Sequence, residues 1–132
     1  MIKGPALFDT NILIDLFSGR VEAKQVLEAY PPQNAISLIT WTEVMVGAKK
    51  YHQEHRTRIA LSAFNIIDIS QDIAERSVNL RKEYGMKLPD AIILATAQIH
   101  RYELVTRNTK DFFGIPGVIT PYPVSYTHLT LP

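Results

Sequence analysis

The stretch FDTNILID, residues 8–15, decides how the fold is interpreted. A short apolar run at 6–8 leads into Asp9, and an apolar-rich helical pattern begins directly afterwards. The pattern predicts a buried strand over residues 5–9 and a helix from about Asn11 to Phe17. Asp9 then has two interpretations, as a helix N-cap or as an acid of a catalytic site. Taken alone, the stretch favours the cap, and we assign Asp15 a structural role.

Further strands and helices alternate along the chain. Gly, Ser and Pro residues separate short apolar runs from amphipathic segments. Strands are predicted near 34–39, 64–70, 103–108 and 117–121, and helices near 21–30, from 40 onward, at 52–64, at 71–85 and from about 89. This alternation predicts a three-layer α/β/α sandwich with a mainly parallel sheet of about five strands.

Length and composition are those of a single globular domain. The chain has 132 residues, of which 46% are hydrophobic and 20% charged. We assign residues 1–123 to one domain. Residues 124–132 show no periodicity, and we interpret them as a poorly specified tail of the kind that expression vectors add.

The charge balance and the absent cysteines exclude several classes of site. Lys plus Arg number 14 against 13 Asp plus Glu, so net charge predicts no steering of an anionic partner. Without cysteine, disulfides, thiolate metal sites and a cysteine nucleophile are excluded. No signal-peptide pattern or apolar run of membrane-spanning length is present. We therefore expect a cytoplasmic protein without a membrane partner.

Four acids lie at predicted strand-to-helix junctions or helix starts. Parallel α/β sheets bind ligands beyond the carboxyl ends of their strands, so these acids are expected at one edge of the sheet. They are Asp9, Glu43, Asp90 and Asp111. No Lys, Cys or Ser stands at an equivalent junction with a base that would make it a nucleophile.

Each acid has a structural alternative when it is taken singly. Thr40 and Glu43 match the pattern of a capping box, and Asp9 or Asn11 could cap the first helix. Asp90 in a first turn would complement the helix dipole, and Asp111 could cap a short turn. For each acid taken alone, a structural role is more common than a catalytic one.

The group of acids points to a metal site. If four carboxylates met within roughly 6 Å, their mutual repulsion would be on the order of 15 kcal/mol, which exceeds typical domain stability. Protons or cations must relieve such a charge. Carboxylates without His or Cys suit Mg²⁺ or Mn²⁺, ions that commonly serve phosphoryl chemistry.

At this point the order of motifs resembles a known family. FDTN, TEV, LPDAIILATA and LVTRNTKDF occur in this order over roughly residues 6–121. This arrangement is similar to that of PIN-domain ribonucleases, in particular the VapC-type toxins of toxin–antitoxin pairs. The resemblance implies a PIN-like fold with a five-stranded parallel sheet and an acidic pocket. It also implies a Mg²⁺-dependent endoribonuclease, an antitoxin that blocks the pocket, and a homodimer.

The resemblance also assigns residues position by position. Asp9 and Asp90 match the principal metal-binding aspartates, and Glu43 matches the glutamate of the third helix. Many relatives carry Asp where this chain has Asn108, and here Asp111 is the nearby carboxylate. The predicted catalytic and metal-binding set is therefore Asp9, Glu43, Asp90 and Asp111, and the predicted pocket-ordering set is Asn11, Thr106 and Asn108.

The hypothesis is hydrolysis of an RNA phosphodiester by in-line attack of water, leaving 5′-phosphate and 3′-hydroxyl ends. Lys49, Lys50, Arg56 and Arg58 are candidate contacts for RNA phosphates, although a solvated helix face is the more common explanation. A catalytically weak PIN-like module that binds RNA or protein remains the alternative. Asp9-Thr10-Asn11 lacks the second acid of a haloacid-dehalogenase phosphatase, and no dinucleotide fingerprint follows Phe8.

Overall fold

The computed structural model describes residues 4–30, 32 and 34–122, in which five short strands alternate with six helices. The strands are β1 (Ala6–Phe8), β2 (Ala35–Ser37), β3 (Asn65–Ile67), β4 (Glu103–Val105) and β5 (Val118–Ile119). The helices are α1 (Thr10–Phe17), α2 (Val21–Glu28), α3 (Leu38–Lys50), α4 (Glu54–Leu61), α5 (Gln71–Tyr84) and α6 (Leu88–His100). The predicted elements are confirmed, with ends that differ by a few residues.

The strands form one sheet in the order β3-β2-β1-β4-β5, and every pairing is parallel. The predicted five-stranded α/β/α class is therefore confirmed. The predicted tail at 124–132 lies outside the described residues, so the domain boundary at 123 stays a prediction.

Alternation of side chains along the strands builds a core on each face of the sheet. Leu7 and Leu104 pack on one face with the apolar sides of α5 and α6. Phe8 and Val105, the next residues along, pack on the opposite face with residues of α1 to α4. Each of these four side chains is fully buried, so helices must cover both faces, which gives the three layers.

The start of α3 differs from the prediction. The helix begins at Leu38, directly after β2, and its N-cap is Ser37, whose hydroxyl oxygen accepts a hydrogen bond from Ile39 N at 3.2 Å. The capping box at Thr40 and Glu43 is therefore wrong, because both residues lie inside the helix. Their side chains are free to point toward α1 instead.

Two other helix ends follow their local sequence. Ser70 caps α5 by accepting a hydrogen bond from Ile73 N, and Gly85 ends the helix with a left-handed φ of 66°. In α6, Pro89 lies in the first turn, where its missing N–H costs no hydrogen bond. Residues 91 and 93–97 are buried, and no charged residue occurs between positions 91 and 99.

The register of β1 and β4 brings the residues after both strands together. Phe8 pairs with Val105, so Asp9 and Thr106 follow as neighbours at the carboxyl edge of the sheet. Asp9 N donates to Val105 O at 2.9 Å, and Thr106 N donates to Ile119 O at 3.0 Å. The backbone therefore holds both residues at the centre of the edge where α1 begins.

Candidate active site

Asp9 is both the N-cap of α1 and a buried acid with several donors. Its side chain is almost entirely buried, and Oδ1 accepts a hydrogen bond from Thr10 N at 2.7 Å. Oδ2 accepts from the Thr106 hydroxyl at 2.7 Å and from Asn11 Nδ2 at 3.3 Å. Helix capping and a place in the acidic site are therefore properties of the same carboxylate.

The pKa of Asp9 lies above its ordinary value despite these donors. Burial is the largest cause, because it penalises the charged form. The hydrogen bonds from Thr106 and Thr10 oppose the rise in pKa, and the negative charge of Glu43 adds to it. The donors fix the orientation of the carboxylate, but no positively charged side chain among the described residues lowers its pKa.

Glu43 reaches the site from α3 through a residue that sequence reasoning missed. The Thr10 hydroxyl donates to Glu43 Oε1 at 2.6 Å and lies 3.1 Å from the Thr40 hydroxyl. Thr10 therefore joins α1 to α3 beside Asp9. Its position between Asp9 and Asn11 in the FDTN motif was the available clue.

Asp90 lies in the first turn of α6 and is half-buried. Burial, followed by the charges of Asp9 and Asp111, raises its pKa from 3.8 to about 6. A hydrogen bond with Asp111 also favours the protonated form, and Lys87 acts weakly in the opposite direction. Asp90 therefore lies within electrostatic reach of Asp9, directly after β1, and of Asp111, in the loop after β4.

Asn108 orders the fourth acid. Its Nδ2 donates to Asp111 Oδ2 at 2.9 Å, and its Oδ1 accepts from Asp111 N at 3.1 Å. Its own backbone N–H donates to the Thr106 hydroxyl at 3.0 Å. The amide thus fixes the direction of Asp111 and links it to the donors of Asp9.

The predicted acids form a row at one edge of the sheet, which we call the acid row: Glu43, Asp9, Asp90 and Asp111. The charge of Glu43 raises the pKa of Asp9, and the charges of Asp9 and Asp111 raise the pKa of Asp90. Among the residues that the structure describes, no three His, Cys, Asp or Glu side chains converge closely enough to bind one ion as they stand. The row is a set of adjacent acids rather than a closed ring.

The three predicted pocket-ordering residues contact one another as well as the acids. Thr106 is fully buried, and its hydroxyl accepts a hydrogen bond from Asn11 Nδ2 at 3.2 Å. Asn11 Oδ1 accepts from the backbone N–H of Arg107 at 3.3 Å. With Asn108, these side chains form a continuous polar network beneath Asp9 and Asp111.

The four candidate RNA-binding residues are exposed at the far end of α3 and on α4: Lys49, Lys50, Arg56 and Arg58. Lys50 follows Glu43 by seven residues, so it lies about 10 Å further along the same face of α3. The Arg58 guanidinium lies 5.3 Å from the centre of the Trp41 ring. The positive charges therefore begin two helical turns from the acid row.

Asp15, which the sequence left as a structural acid, is buried in a polar cluster of its own. Its partners are Arg107, Arg20 and Tyr122, which approach from the loop after β4, the start of α2 and the end of the described chain. None of these contacts could be inferred from the spacing of Asp15 within its helix.

Within the described ranges, no helix is long and apolar enough to cross a membrane.

Comparisons with known proteins agree with the fold. The family model described as "PIN domain" matches residues 6–116. Ribonuclease VapC1 of Methanocaldococcus jannaschii is 35% identical over 111 residues, covering 80% of this chain and 77% of the relative. Ribonuclease VapC1 of Rickettsia felis is 30% identical over 124 residues, covering 85% of this chain and 91% of the relative.

A solved structure is also similar to this chain in sequence and fold. A chain of a toxin–antitoxin complex from Klebsiella pneumoniae is 84% identical, with a TM-score of 0.88, and the match covers 90% of this chain and 99% of that chain. The matched family model spans most of the sequence, and both curated relatives are matched over most of their length. The chain therefore belongs to the PIN-domain family and, within it, to the VapC-type ribonuclease toxins.

Proposed function

We propose that this toxin is a Mg²⁺- or Mn²⁺-dependent endoribonuclease that hydrolyses RNA phosphodiester bonds in the cytoplasm to 5′-phosphate and 3′-hydroxyl ends. The observation that carries the proposal is the acid row at the carboxyl edge of the sheet. Glu43, Asp9, Asp90 and Asp111 come from four different parts of the chain and lie as pairwise neighbours at the edge where parallel α/β sheets bind ligands.

The donor chemistry of the acid row fits a hard divalent cation. All four side chains offer carboxylate oxygens, which suit Mg²⁺ and Mn²⁺. Burial and mutual repulsion raise the pKa of Asp9 and of Asp90, so a cation would relieve an existing electrostatic cost. When bound, the ion supplies a Lewis acid that favours deprotonation of water and neutralises charge on the phosphate.

The protein's own residues hold the acids in place. Thr106 and Thr10 donate to Asp9 and Glu43, so each carboxylate keeps a fixed orientation before any ligand arrives. Asn108 does the same for Asp111. Such preorganised partners commonly affect metal affinity or activity by about 10- to 100-fold. Attack by water needs no side-chain nucleophile. This agrees with the sequence, in which the residues at the strand-to-helix junctions include no Lys, Cys or Ser paired with a base.

The positive residues on α3 and α4 suit a polyanionic substrate. Lys49 and Lys50 lie on the helix that carries Glu43, and Arg56 and Arg58 lie on the helix that follows. In the proposal they neutralise RNA phosphates flanking the cleaved bond, which makes binding salt-dependent.

The proposal includes a cognate antitoxin protein and a homodimer. The 84% identical chain from Klebsiella pneumoniae belongs to a structure described as a toxin–antitoxin complex, which supports an antitoxin partner for this chain. In the proposal the antitoxin covers the acid row and blocks RNA. The homodimer rests on the family resemblance.

A catalytically weak module that binds RNA or protein is the second candidate. It is favoured by Asn108, an amide where many relatives are expected to have a fourth aspartate. In the structure, however, Asn108 directs Asp111 toward Asp90 through two hydrogen bonds, which favours a working fourth acid at 111.

Cleavage of a labelled RNA, with analysis of its ends, separates the two candidates. Wild type should cleave with Mg²⁺ and not with EDTA, and its products should be digested by an exonuclease that requires a 5′-phosphate. Glu43→Gln should lose about 100-fold or more in rate. The matched control is Glu54→Gln, an exposed glutamate in the first turn of α4, which should cleave as wild type does. Equal cleavage in EDTA, or cyclic-phosphate ends, would contradict the proposal.

A further inference from the structure

Asp15 is a buried carboxylate outside the acid row, and two arginines contact it. Arg107 Nη2 donates to Asp15 Oδ1 at 3.2 Å, and Arg107 Nε forms an ion pair with Oδ2 at 2.6 Å without hydrogen-bond geometry. Arg20 Nη1 lies 3.8 Å from Oδ2, and the Tyr122 hydroxyl donates to Oδ2 at 2.7 Å. Asp15 is only 7% exposed, so these contacts are largely removed from water.

The position of Asp15 on α1 links this cluster to the candidate active site. Asn11 and Asp15 are four residues apart and therefore lie on the same face of the helix. Arg107 is bound to both: its backbone N–H donates to Asn11 Oδ1, and its side chain contacts Asp15. The loop after β4 is thus attached to α1 at two points, one helical turn apart.

The two neighbours of Arg107 are the residues that order the acid row. Thr106 donates to Asp9, and Asn108 holds Asp111 through two hydrogen bonds. A displacement of Arg107 along or away from α1 would move both neighbours. The contact with Asp15 resists that displacement, because without Arg107 the largely buried carboxylate of Asp15 would keep only the longer ion pair with Arg20, at 3.8 Å.

Burial of this ion pair is not explained by stability alone. Replacing a buried ion pair by apolar side chains is often neutral or stabilising, whereas its defined geometry can specify one arrangement of the chain. Here the specified arrangement is that of residues 106–108 against α1. Tyr122 donates to Asp15 Oδ2 as well, and among the described residues it has no hydrogen bond to that loop.

We propose that Asp15 and Arg107 are positioning residues for the cleavage reaction: their contact fixes residues 106–108 on α1, so that Thr106 and Asn108 meet Asp9 and Asp111. The inference rests on the proposed function, which assigns Asp9 and Asp111 to the reaction. Neither Asp15 nor Arg107 needs to touch RNA or metal for this role.

Three variants and one control test the proposal. Asp15→Asn removes the charge, and the double variant Asp15→Asn/Arg107→Gln removes both charges, so that neither member of the pair is left unpaired. Arg107→Lys keeps the positive charge but replaces the guanidinium, which contacts both oxygens of Asp15, by a single ammonium group. Tyr122→Phe is the control, because it removes a hydrogen bond to the same carboxylate and leaves every hydrogen bond of residues 106–108 in place.

The first readout does not depend on activity. Amide hydrogen exchange of Arg107 and Asn108, both hydrogen-bonded N–H groups in the network, should accelerate at least tenfold in all three variants and stay at the wild-type rate in Tyr122→Phe. The Tm of each variant is measured alongside. Because Tyr122→Phe also removes a hydrogen bond to Asp15, it shows how much exchange changes when only global stability is lowered. Wild-type exchange in Asp15→Asn and in the folded double variant would overturn the proposal.

The second readout is RNA cleavage at saturating Mg²⁺. The three variants should lose about 10- to 100-fold in kcat with little change in KM, as expected for partners that orient ligands. A rise in KM alone would mean that Arg107 contacts RNA directly, and unchanged kcat would mean a purely structural pair; both results overturn the proposal. If wild type itself does not cleave RNA, the proposed function fails, while the exchange rates still report on positioning.

Discussion

The charge of Asp90 should destabilise the metal-free protein, so that Asp90→Asn makes it more stable at neutral pH. The pKa of Asp90 is raised from 3.8 to about 6, first by burial and then by the charges of Asp9 and Asp111. Because the folded-state pKa lies above the unfolded value, the contribution of Asp90 to stability is full below 3.8 and is lost as the pH rises through about 6. Asparagine does not ionise, so the variant does not lose stability in this pH range.

The size of the effect follows from the shift. At about 1.4 kcal/mol per pKa unit, the unscreened value is ~3 kcal/mol. Asp90 is partly exposed, so screening by solvent reduces this to roughly 1–1.5 kcal/mol. Loss of the first-turn charge from α6 costs about 0.5 kcal/mol in the opposite direction. The net gain of roughly 0.5–1 kcal/mol corresponds to an increase in Tm of about 2–6 °C for a domain of this size.

Thermal unfolding in EDTA, followed by circular dichroism, measures this gain. Asp90→Asn should exceed wild type in Tm at about pH 8 and match it at about pH 4, where both side chains are uncharged. Asp72→Asn is the matched control, since Asp72 is an exposed acid in the first turn of α5 and should lose slightly in Tm when replaced. Saturating Mg²⁺ should raise the Tm of wild type but not of Asp90→Asn.

Two results would refute the reasoning. A Tm of Asp90→Asn at or below that of wild type at about pH 8 would mean that the acids do not repel one another appreciably. A gain of equal size at about pH 4 would mean that asparagine stabilises for a reason unrelated to charge.

Other predictions concern the polar network, a helix end and the basic residues. Thr106→Val removes the hydroxyl that donates to Asp9 at 2.7 Å and should lower kcat by about tenfold or more, measured at saturating Mg²⁺; unchanged kcat would contradict a role for the network. Gly85→Ala should cost about 1 kcal/mol in thermal unfolding because of its φ of 66°, without changing RNA cleavage. Lys49→Ala with Lys50→Ala should reduce the salt dependence of RNA binding by a slope of about one per lost phosphate contact; an unchanged slope would indicate a solvated helix face.

The fold was predictable because its determinants are local. Alternating strand and helix patterns, the glycine at 85 and the proline at 89 each act within a few residues. Parallel pairing then brings the residue after each strand to a common edge, which is why Asp9 and Thr106 could be expected side by side.

The errors arose where a partner lies far away in sequence. Thr40 and Glu43 have the spacing of a capping box, but Ser37 already caps α3, and the partner of Glu43 is Thr10, 33 residues earlier. Asp15 was assigned a structural role, which no observation contradicts, but its ion-pair partner Arg107, 92 residues away, could not be inferred. Periodicity carries no information about such pairs.

The central claim is that Asp9 serves a metal-dependent cleavage reaction, and one measurement tests it most directly. Wild type and Asp9→Asn are compared for RNA cleavage over a Mg²⁺ titration, with circular dichroism confirming that both are folded. Asparagine keeps an oxygen that can accept the N-cap hydrogen bond, so the helix should remain intact. We predict Mg²⁺-dependent cleavage by wild type and a loss of cleavage in the folded variant. Cleavage at the wild-type rate by folded Asp9→Asn would contradict the account.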